Sequence, residues 1–403
     1  MPRSGPPDLT SFRSEWNVLL DCASPVADVG RLAELLRRAD WPRLLVLAEE
    51  HGVVGHLVAR LHELDEQQVP AEIPDELVEC HRAQVISTLQ LTGELFRLLG
   101  LFAAKNIPTL VVKGPVLGML AYGNPTMRSH GDLDLLVRQR DIRRATESMQ
   151  AAGYQAAVSL GAIDAGKIPG QYLFSRPDAN LLVELHNDFT LRYFPRRLPI
   201  EEFFARETRV RLDAHEVPAL AVEDELVYIS VHGATHFWER LGWIADVAAL
   251  VTRQRDINWK TVTETAEQVG AGRMLATGLC LASDLLHARL PDPVLAALKR
   301  DAGAAKLAAS VRARLARAGN APPALFERAA FRLRMRGNGF SAPAYLLRLS
   351  LSPTEEDWKL GAPHSRHGFF EALRRPFRLA RKYGRGGQIL TVLINSLQKM
   401  LGK

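Results

Sequence analysis

Two aspartates stand two positions apart in the stretch Gly-Asp-Leu-Asp-Leu-Leu-Val, residues 131–137. On a β-strand, residues two apart project from the same face, so the carboxylates of Asp132 and Asp134 would lie side by side. Adjacent carboxylates repel each other unless a cation neutralises them, and a hard cation such as Mg²⁺ prefers oxygen ligands. The spacing therefore indicates a divalent-cation site, although two solvated aspartates at a strand end would show the same spacing.

Further candidate residues flank this pair in the sequence. Lys113 and Gly114 follow a predicted strand and precede a predicted helix, where backbone N–H groups and an ammonium would bind phosphate. Glu184 and His186 share one face of a later predicted strand, so Glu184 would supply a third carboxylate if the two strands are neighbours. Each feature also has a plainer explanation: an ordinary turn for the lysine and glycine, and an exposed strand position for the glutamate.

Two histidines, His232 and His236, lie four residues apart and share one helix face. No glutamate follows His232, so the pair is not the HExxH motif of zinc proteases. These histidines either pack at a seam between helices or, together with Arg240 and Asp246, line a ligand pocket. The two tryptophans of the same stretch are predicted to be core residues rather than stacking platforms for a base.

Taken in order, these residues resemble the nucleotidyltransferase fold of the DNA polymerase beta superfamily, and within it a poorly characterised bacterial branch. The resemblance covers residues 85–290 and depends on Lys-Gly, a short helix, Arg128, the Gly-Asp-Leu-Asp string and the later Glu-Leu-His strand. It implies that Asp132, Asp134 and Glu184 are catalytic and ligate Mg²⁺ or Mn²⁺. One cation would then activate the acceptor, and the other would neutralise the leaving pyrophosphate.

The resemblance also implies an NTP substrate. Its phosphates and nucleoside would be bound by Lys113, Gly114, Arg128, Gly131 and His186. Pro115 stands where the superfamily usually has glycine or serine, so a backbone donor and a hydroxyl are missing, and Lys113 and Arg128 would have to compensate. Arg128 has the alternative of a surface salt bridge.

The implied activity is Mg²⁺-dependent transfer of a nucleoside monophosphate from an NTP to an unidentified small-molecule or peptide acceptor. Two alternatives stay open from the sequence: a catalytically inactive binding or regulatory protein of the same fold, and a transferase directed at RNA or protein. Residues 299–403 carry 21 Lys and Arg against 6 Asp and Glu, a net charge of +15 against +6 for the whole chain. This basic end favours an anionic partner, or simply improves solubility.

Composition narrows the setting. The chain has 403 residues, of which 47% are hydrophobic and 24% charged, and this excludes a wholly disordered protein. Cys22, Cys80 and Cys280 are far apart and form no CxxC, which argues against a disulfide scaffold and favours a reducing cytoplasmic setting. The first residues lack the apolar stretch of a signal peptide, and no run of 18 apolar residues predicts a membrane span.

Hydrophobic periodicity predicts the elements that must position these side chains. Strands are expected at residues 109–113, 132–137, 172–174 and 181–185, and long helices at 75–104, 224–237, 243–252, 259–269 and 274–286. The predicted fold is α+β and mostly helical, with a small mixed sheet flanked by N- and C-terminal helical regions. The predicted divisions are a flexible arm (1–27), an N-terminal helical region (28–84), a nucleotidyltransferase catalytic unit (85–215), a C-terminal helical domain (216–345) and a basic tail with an amphipathic helix (346–403).

Overall fold

The structure is a computed structural model that describes residues 13–26, 28–65, 73–164, 170–188, 197–315 and 325–336. In this part of the chain, helices surround one mixed sheet of seven strands. The predicted architecture, an α+β fold that is mostly helical, is therefore confirmed. The predicted basic tail, including its amphipathic helix, lies outside the described residues.

Four short helices begin the described chain: α1 Arg13–Ala23, α2 Val29–Arg37, α3 Trp41–His51 and α4 Val54–Leu61. An aspartate caps each of α2 and α3, because the carboxylates of Asp28 and Asp40 accept hydrogen bonds from backbone N–H groups three residues later. Such caps satisfy donors that the first turn of a helix leaves unpaired.

Helix α1 lies within the segment predicted to be a flexible arm. Its residues Val18 and Leu19 are fully buried, and the helix contacts other helices of the N-terminal region. The prediction of a flexible arm is therefore wrong for residues 13–23. The reason is that α1 buries an apolar stripe, which the Pro- and Ser-rich flanks of the segment obscured.

Helix α5, Asp75–Ala104, continues from the helical region into the sheet. In its second half Leu91, Leu95, Leu98 and Phe102 are buried in a core shared with the strands. The predicted boundary between residues 84 and 85 thus falls inside one continuous helix. Of the described helices, α5 alone is long and apolar enough to cross a membrane by length and composition, a test that core helices also pass, and 33% of its most apolar stretch is buried.

The strands of the sheet are β1 Thr109–Val112, β2 Leu133–Val137, β3 Gln155–Ala156, β4 Gln171–Arg176, β5 Leu181–His186, β6 Thr208–Leu212 and β7 His215–Ala219. Across the sheet they follow the order β3-β4-β5-β2-β1-β7-β6. Strand β2 is antiparallel to β1 and parallel to β5, with Asp134 beside Val112 on one side and Glu184 on the other. The two strands that carry the predicted acids are therefore direct neighbours.

Strands β6 and β7 form an antiparallel hairpin that the sequence analysis did not predict. The hairpin joins the sheet where Ala219 of β7 lies beside Val111 of β1. Charged and exposed residues alternate with apolar ones along β6, which hides the strand from a search for continuous apolar runs. The predicted boundary between residues 215 and 216 consequently falls inside β7.

The two faces of the sheet contact different layers. Helices of the sheet unit are α6 Gly114–Tyr122, α7 Ile142–Ala151, α8 Leu160–Asp164 and α9 Ile200–Ala205. On β2, Leu133 and Leu135 face a core shared with α5 and α7, whereas Leu136 faces a core shared with the N-terminal and C-terminal helices. Because side chains alternate along a strand, Asp134 lies on the same side as Leu136.

The C-terminal helices are α10 Val222–Thr235, α11 Leu241–Arg253, α12 Trp259–Gln268, α13 Gly272–Leu286, α14 Asp292–Arg300, α15 Ala302–Leu315 and α16 Leu325–Met335. Trp238, at the corner between α10 and α11, is fully buried as predicted. A Cβ atom on Gly233 would lie 2.4 Å from its indole, and one on Gly278 would lie 2.8 Å away. Since α1 contacts α11 and α13, the described N-terminal and C-terminal helices share one hydrophobic core.

Candidate functional site

Alternation along β2 and β5 brings Asp134, Glu184 and His186 onto one face of the sheet. In the parallel register, Asp134 lies beside Glu184, and Leu136 lies beside His186. The carboxylate oxygens and the imidazole nitrogen that could act as ligands all lie within 4.8 Å of one another. The described residues therefore contain an acidic cluster with a histidine that could hold a divalent cation.

Asp132 lies outside this close group, although the sequence analysis assigned it to a metal set with Asp134 and Glu184. It directly precedes β2 and is half-buried. Burial and the nearby charge of Asp134 raise the pKa of its carboxyl to about 6, although Lys113 opposes this. The group of three whose ligand atoms lie within 4.8 Å of one another therefore contains His186 instead of Asp132. Asp132 is still close enough to Asp134 for that charge to raise its pKa.

The ammonium of Lys113 is buried beside Asp134. Its Nζ lies 2.9 Å from Oδ2 of Asp134 and 3.4 Å from Nδ1 of His232. Burial disfavours the charged ammonium, but the carboxylates of Asp134 and Asp132 outweigh burial and raise the pKa of Lys113. Lys113 therefore stays positively charged next to the acidic cluster. Its predicted role in binding phosphate stays a prediction.

The backbone of Lys113 is strained where β1 turns into α6. Its φ is 54° and its ψ is −136°, a conformation that residues other than glycine rarely adopt. The N–H of Lys113 donates to Oε1 of Glu225 on α10 at 2.9 Å. A Cβ atom on Gly114 or on Gly131 would meet nothing within 4 Å. Glu225 thus holds the turn from one side, and both glycines face open space.

Both carboxylate oxygens of Asp134 have partners. Lys113 contacts Oδ2, and Nε2 of His186 lies 2.9 Å from Oδ1. Burial alone would raise the pKa of this carboxyl, but Lys113 and His186 outweigh burial and hold the pKa far below its usual range. Asp134 is therefore ionised, and its charge is balanced by the ammonium of Lys113, a partner that the sequence analysis did not assign to it.

His186 bridges the two acids. Besides its contact with Asp134, Nε2 of His186 lies 3.4 Å from Oε2 of Glu184, and Nδ1 lies 3.2 Å from the hydroxyl of Tyr228. Gln171 on the neighbouring strand β4 donates a hydrogen bond to Glu184. Burial would lower the pKa of His186, but the bonds to Asp134 and Glu184 raise it to about 9. His186, predicted to bind the nucleotide, thus lies inside the acidic cluster.

Arg128 and Asp246 form a buried ion pair close to the cluster. Nε of Arg128 lies 2.8 Å from Oδ2 of Asp246, and the hydroxyl of Tyr122 donates to Oδ1 at 2.9 Å. The alternative of a surface salt bridge for Arg128 is therefore wrong, since both side chains are buried. Asp246 was predicted to line a pocket, but both of its oxygens are engaged, so its observed contacts are with Arg128 and Tyr122.

An aromatic group consisting of His232, His236 and Trp243 lies beside Lys113. Its ring centroids are 4.7 to 5.3 Å apart. Desolvation and the charge of Lys113 lower the pKa of His236 to about 4, although this residue is exposed at the surface, and hold the pKa of His232 well below its usual value. Trp243 is half-buried rather than a full core residue, and the exposed Arg240 has its Cζ 5.8 Å from the Trp243 ring centroid.

Two residues that the sequence analysis missed, Glu225 and Tyr228, approach the cluster from α10. Together with His232 they are spaced three and four residues apart, which is the spacing of one helix face. Three polar side chains on one face of an apolar helix were therefore the available signal. Oε2 of Glu225 has no hydrogen-bond partner among the described residues, and burial raises the pKa of this carboxyl to about 7.

The chain matches a known protein family over most of the described structure. The sequence profile of a family described as uncharacterised nucleotidyltransferase matches residues 37–287. This range includes the whole sheet, the acidic cluster and helices α10 and α11. No curated protein matches the chain in sequence. The match agrees with the resemblance drawn from the Lys-Gly and Gly-Asp-Leu-Asp motifs.

Proposed function

Because the chain belongs to the uncharacterised nucleotidyltransferase family, we propose that it transfers a nucleoside monophosphate from an NTP to a small-molecule or peptide acceptor, with Mg²⁺ or Mn²⁺. The observation that carries this proposal is the position of the charged Lys113 beside Asp134, directly before the N-terminus of α6. The ammonium of Lys113 and the N-terminus of α6 can bind a triphosphate, and the carboxylate of Asp134 can bind the divalent cation that accompanies it.

In this proposal, Lys113 and the first turn of α6 bind the triphosphate. The N-terminus of a helix carries partial positive charge and unpaired N–H groups. Pro115 supplies no N–H, so Gly114 and Val116 provide the backbone donors. Arg128, held by Asp246, adds positive charge near the same turn.

The acidic cluster supplies the remaining chemistry. Asp134 and Glu184, with Asp132 nearby, would hold the divalent cation. When bound, the cation would neutralise charge on the transferred phosphoryl group and on the leaving pyrophosphate. A carboxylate oxygen of Glu184 would accept the proton of the acceptor hydroxyl or amine. Asp134, fixed by Lys113 and His186, would keep its charge throughout.

The aromatic group beside Lys113 would receive the nucleoside. The half-buried indole of Trp243 and the neutral imidazoles of His232 and His236 offer stacking surfaces for a base. Arg240 is exposed at the same place and would donate to acceptor atoms on the base edge. Lys113 connects this aromatic group to the acidic cluster, because its ammonium contacts both His232 and Asp134.

The test uses the full-length protein, each of the four NTPs labelled at the α-phosphate, and MnCl₂ or MgCl₂. Small-molecule, peptide, RNA and protein fractions of a cell extract serve as separate acceptor pools. A labelled product and pyrophosphate with the small-molecule or peptide pool, both lost in Asp134→Asn, would support the proposal. Cation-dependent NTP binding without product from any pool would instead indicate an inactive binding protein.

Product from the RNA or protein pool alone would indicate a transferase directed at macromolecules. For that outcome the basic tail, residues 346–403, is the proposed binding segment for an anionic partner, because it belongs to the most basic part of the chain. Product formation should then fall steeply with salt concentration, since binding to a polyanion releases counterions.

A further inference from the structure

The close contacts of His186 resemble the spacing of ligands around a metal ion. Its Nε2 lies 2.9 Å from Oδ1 of Asp134 and 3.4 Å from Oε2 of Glu184. With metal–ligand bonds of about 2.1 Å, neighbouring ligand atoms are about 3 Å apart in a six-coordinate site and about 3.4 Å apart in a four-coordinate one. Both separations that involve Nε2 of His186 are therefore ones that a single cation can span, and the two carboxylate oxygens lie within 4.8 Å of each other.

Asp134 offers Oδ1 for this purpose without losing its other contact. Lys113 holds Oδ2 at 2.9 Å and supplies one positive charge, so a carboxylate shared between Lys113 and a cation keeps both oxygens satisfied. Asp132 is not part of the group whose ligand atoms lie within 4.8 Å. The position nearest to Asp134 and Glu184 thus belongs to a nitrogen donor rather than to a third carboxylate.

The second nitrogen of His186 has a partner of the kind that metal-bound histidines have. Nδ1 lies 3.2 Å from the hydroxyl of Tyr228, which is buried on α10. Metal-ligating histidines usually donate their other N–H to a neighbouring oxygen, which fixes the tautomer and the ring orientation. To bind a cation, Nε2 would release the proton that it donates to Asp134. With Nδ1–H donating to the oxygen of Tyr228, the lone pair of Nε2 would then face a cation held by Asp134 and Glu184.

We propose that His186 is a nitrogen ligand, through Nε2, of the divalent cation held by Asp134 and Glu184, and that the site therefore prefers Mn²⁺ to Mg²⁺. Imidazole suits transition-metal ions, whereas Mg²⁺ is bound almost entirely by oxygen. The inference rests on the proposed function, since it names a further ligand of the cation that the transfer would use.

The test measures Mn²⁺ alone, without NTP, on the full-length protein stripped of metal. Pulsed electron paramagnetic resonance detects a nitrogen bound to Mn²⁺ by its hyperfine coupling. We expect such a coupling in the unmutated protein, and we expect it to change when histidine is labelled with the heavy nitrogen isotope. This labelling experiment needs no variant and so does not depend on how a substitution affects folding.

The variants assign the coupling to one histidine. In His186→Gln the coupling should disappear and Mn²⁺ affinity should fall by about tenfold or more, whereas Mg²⁺ affinity should change by less than about threefold. The controls His130→Gln and His232→Gln, which replace other histidines near Asp134, should keep the coupling. Loss of the coupling in a control and its persistence in His186→Gln would overturn the assignment.

Two other outcomes separate this inference from the proposed function. Mn²⁺ binding without any nitrogen coupling would overturn the role of His186, because the histidine would then serve the acids as a hydrogen-bond partner only, and the cation-dependent transfer would stand. Absence of binding of both Mn²⁺ and Mg²⁺, together with unchanged NTP binding when the cations are removed, would overturn the inference and the cation site of the proposed function.

Discussion

The ammonium of Lys113 and the carboxylate of Asp134 form an ion pair of 2.9 Å in which the side chains are only 8% and 3% exposed. Removing two charges from water costs several kcal/mol, and the pair recovers this cost only while both partners are present. If Asp134 is replaced, the ammonium of Lys113 stays buried without its closest anion, and if Lys113 is replaced, the carboxylate of Asp134 keeps only its contact with His186. The stability of the protein and the chemistry of the acidic cluster therefore depend on the same contact.

We expect Lys113→Met and Asp134→Asn each to lower the free energy of unfolding by about 3 kcal/mol in the absence of metal, as is typical when one half of a buried pair is removed. The double variant should lose less than the sum of the two, because neither the ammonium of Lys113 nor the carboxylate of Asp134 is then left without the other. Urea unfolding at neutral pH measures all three values. Additive losses would mean that the ion pair contributes nothing.

This expectation has the opposite sign from the one that spacing alone suggests. Two aspartates on one strand face should repel, so removing the charge of Asp134 should stabilise the protein. The structure reverses the sign for Asp134→Asn because Lys113 and His186 both contact this carboxylate. Asp132→Asn keeps the original sign, since burial and Asp134 raise the pKa of Asp132.

Replacement of Glu184 should separate binding from chemistry. Glu184→Gln keeps the shape of the side chain and, with Asp134 intact, should retain most of the affinity for NTP with Mn²⁺. Turnover should fall by a factor on the order of 10² or more, because the proton acceptor for the attacking group is lost. Calorimetry with NTP and product formation from the active acceptor pool measure the two effects.

Glu216→Gln, an exposed acid on β7, is the matched control and should change neither quantity. Equal losses of NTP affinity and of turnover in Glu184→Gln would contradict a role specific to the transfer step, since they would show that Glu184 acts in binding the substrate.

Replacement of Trp243 tests the nucleoside site. Trp243→Ala should weaken NTP binding by roughly tenfold or more, since stacking of a base on an aromatic side chain contributes about 1–3 kcal/mol. Binding of inorganic tripolyphosphate should be unchanged, because Lys113 and the start of α6 remain. Trp259→Ala, at the start of α12, is the control. Equal weakening of both ligands would indicate that Trp243 only supports the fold of the α10–α11 corner.

Local pattern predicted the elements that carry the site. The strands at 132–137 and 181–185 were recognisable from short apolar runs, and their acids are neighbours as the predicted third-carboxylate position requires. The turn at Lys113 was recognisable because a strand, a Lys-Gly pair and a proline follow one another. These features depend on residues close together in the chain, so sequence is sufficient to find them.

Contacts between distant residues were not predictable in the same way. Glu225 reaches the backbone of Lys113 across 112 residues, and the pairing of Arg128 with Asp246 spans 118. Both require the packing of α10 and α11 against the sheet, which no local periodicity reports. The same limit applies to His186: its strand face was predicted, but its distance to Asp134 depends on the register between β2 and β5.

The buried carboxyl of Glu225 makes stability depend on pH. Its pKa is raised by burial from 4.5 to about 7. Between these values the folded protein binds a proton that the unfolded chain has released, so the contribution of Glu225 to stability is present at low pH and is lost as pH rises through 7. We therefore expect the ionised carboxylate, with one oxygen unpaired, to lower the free energy of unfolding at pH 8 by about 3 kcal/mol relative to pH 5.

Glu225→Gln removes this titration and keeps an oxygen that accepts the hydrogen bond from the N–H of Lys113. Other groups titrate over the same range in both proteins, so the informative quantity is the difference in free energy of unfolding between Glu225→Gln and the parent. We expect that difference to shift in favour of Glu225→Gln by about 3 kcal/mol between pH 5 and pH 8, measured by urea unfolding without metal. Glu264→Gln, an exposed acid on α12, should show a constant difference. A constant difference for Glu225→Gln as well would mean that the buried carboxyl keeps its ordinary pKa and that its charge is fully compensated by Lys113 and Arg128.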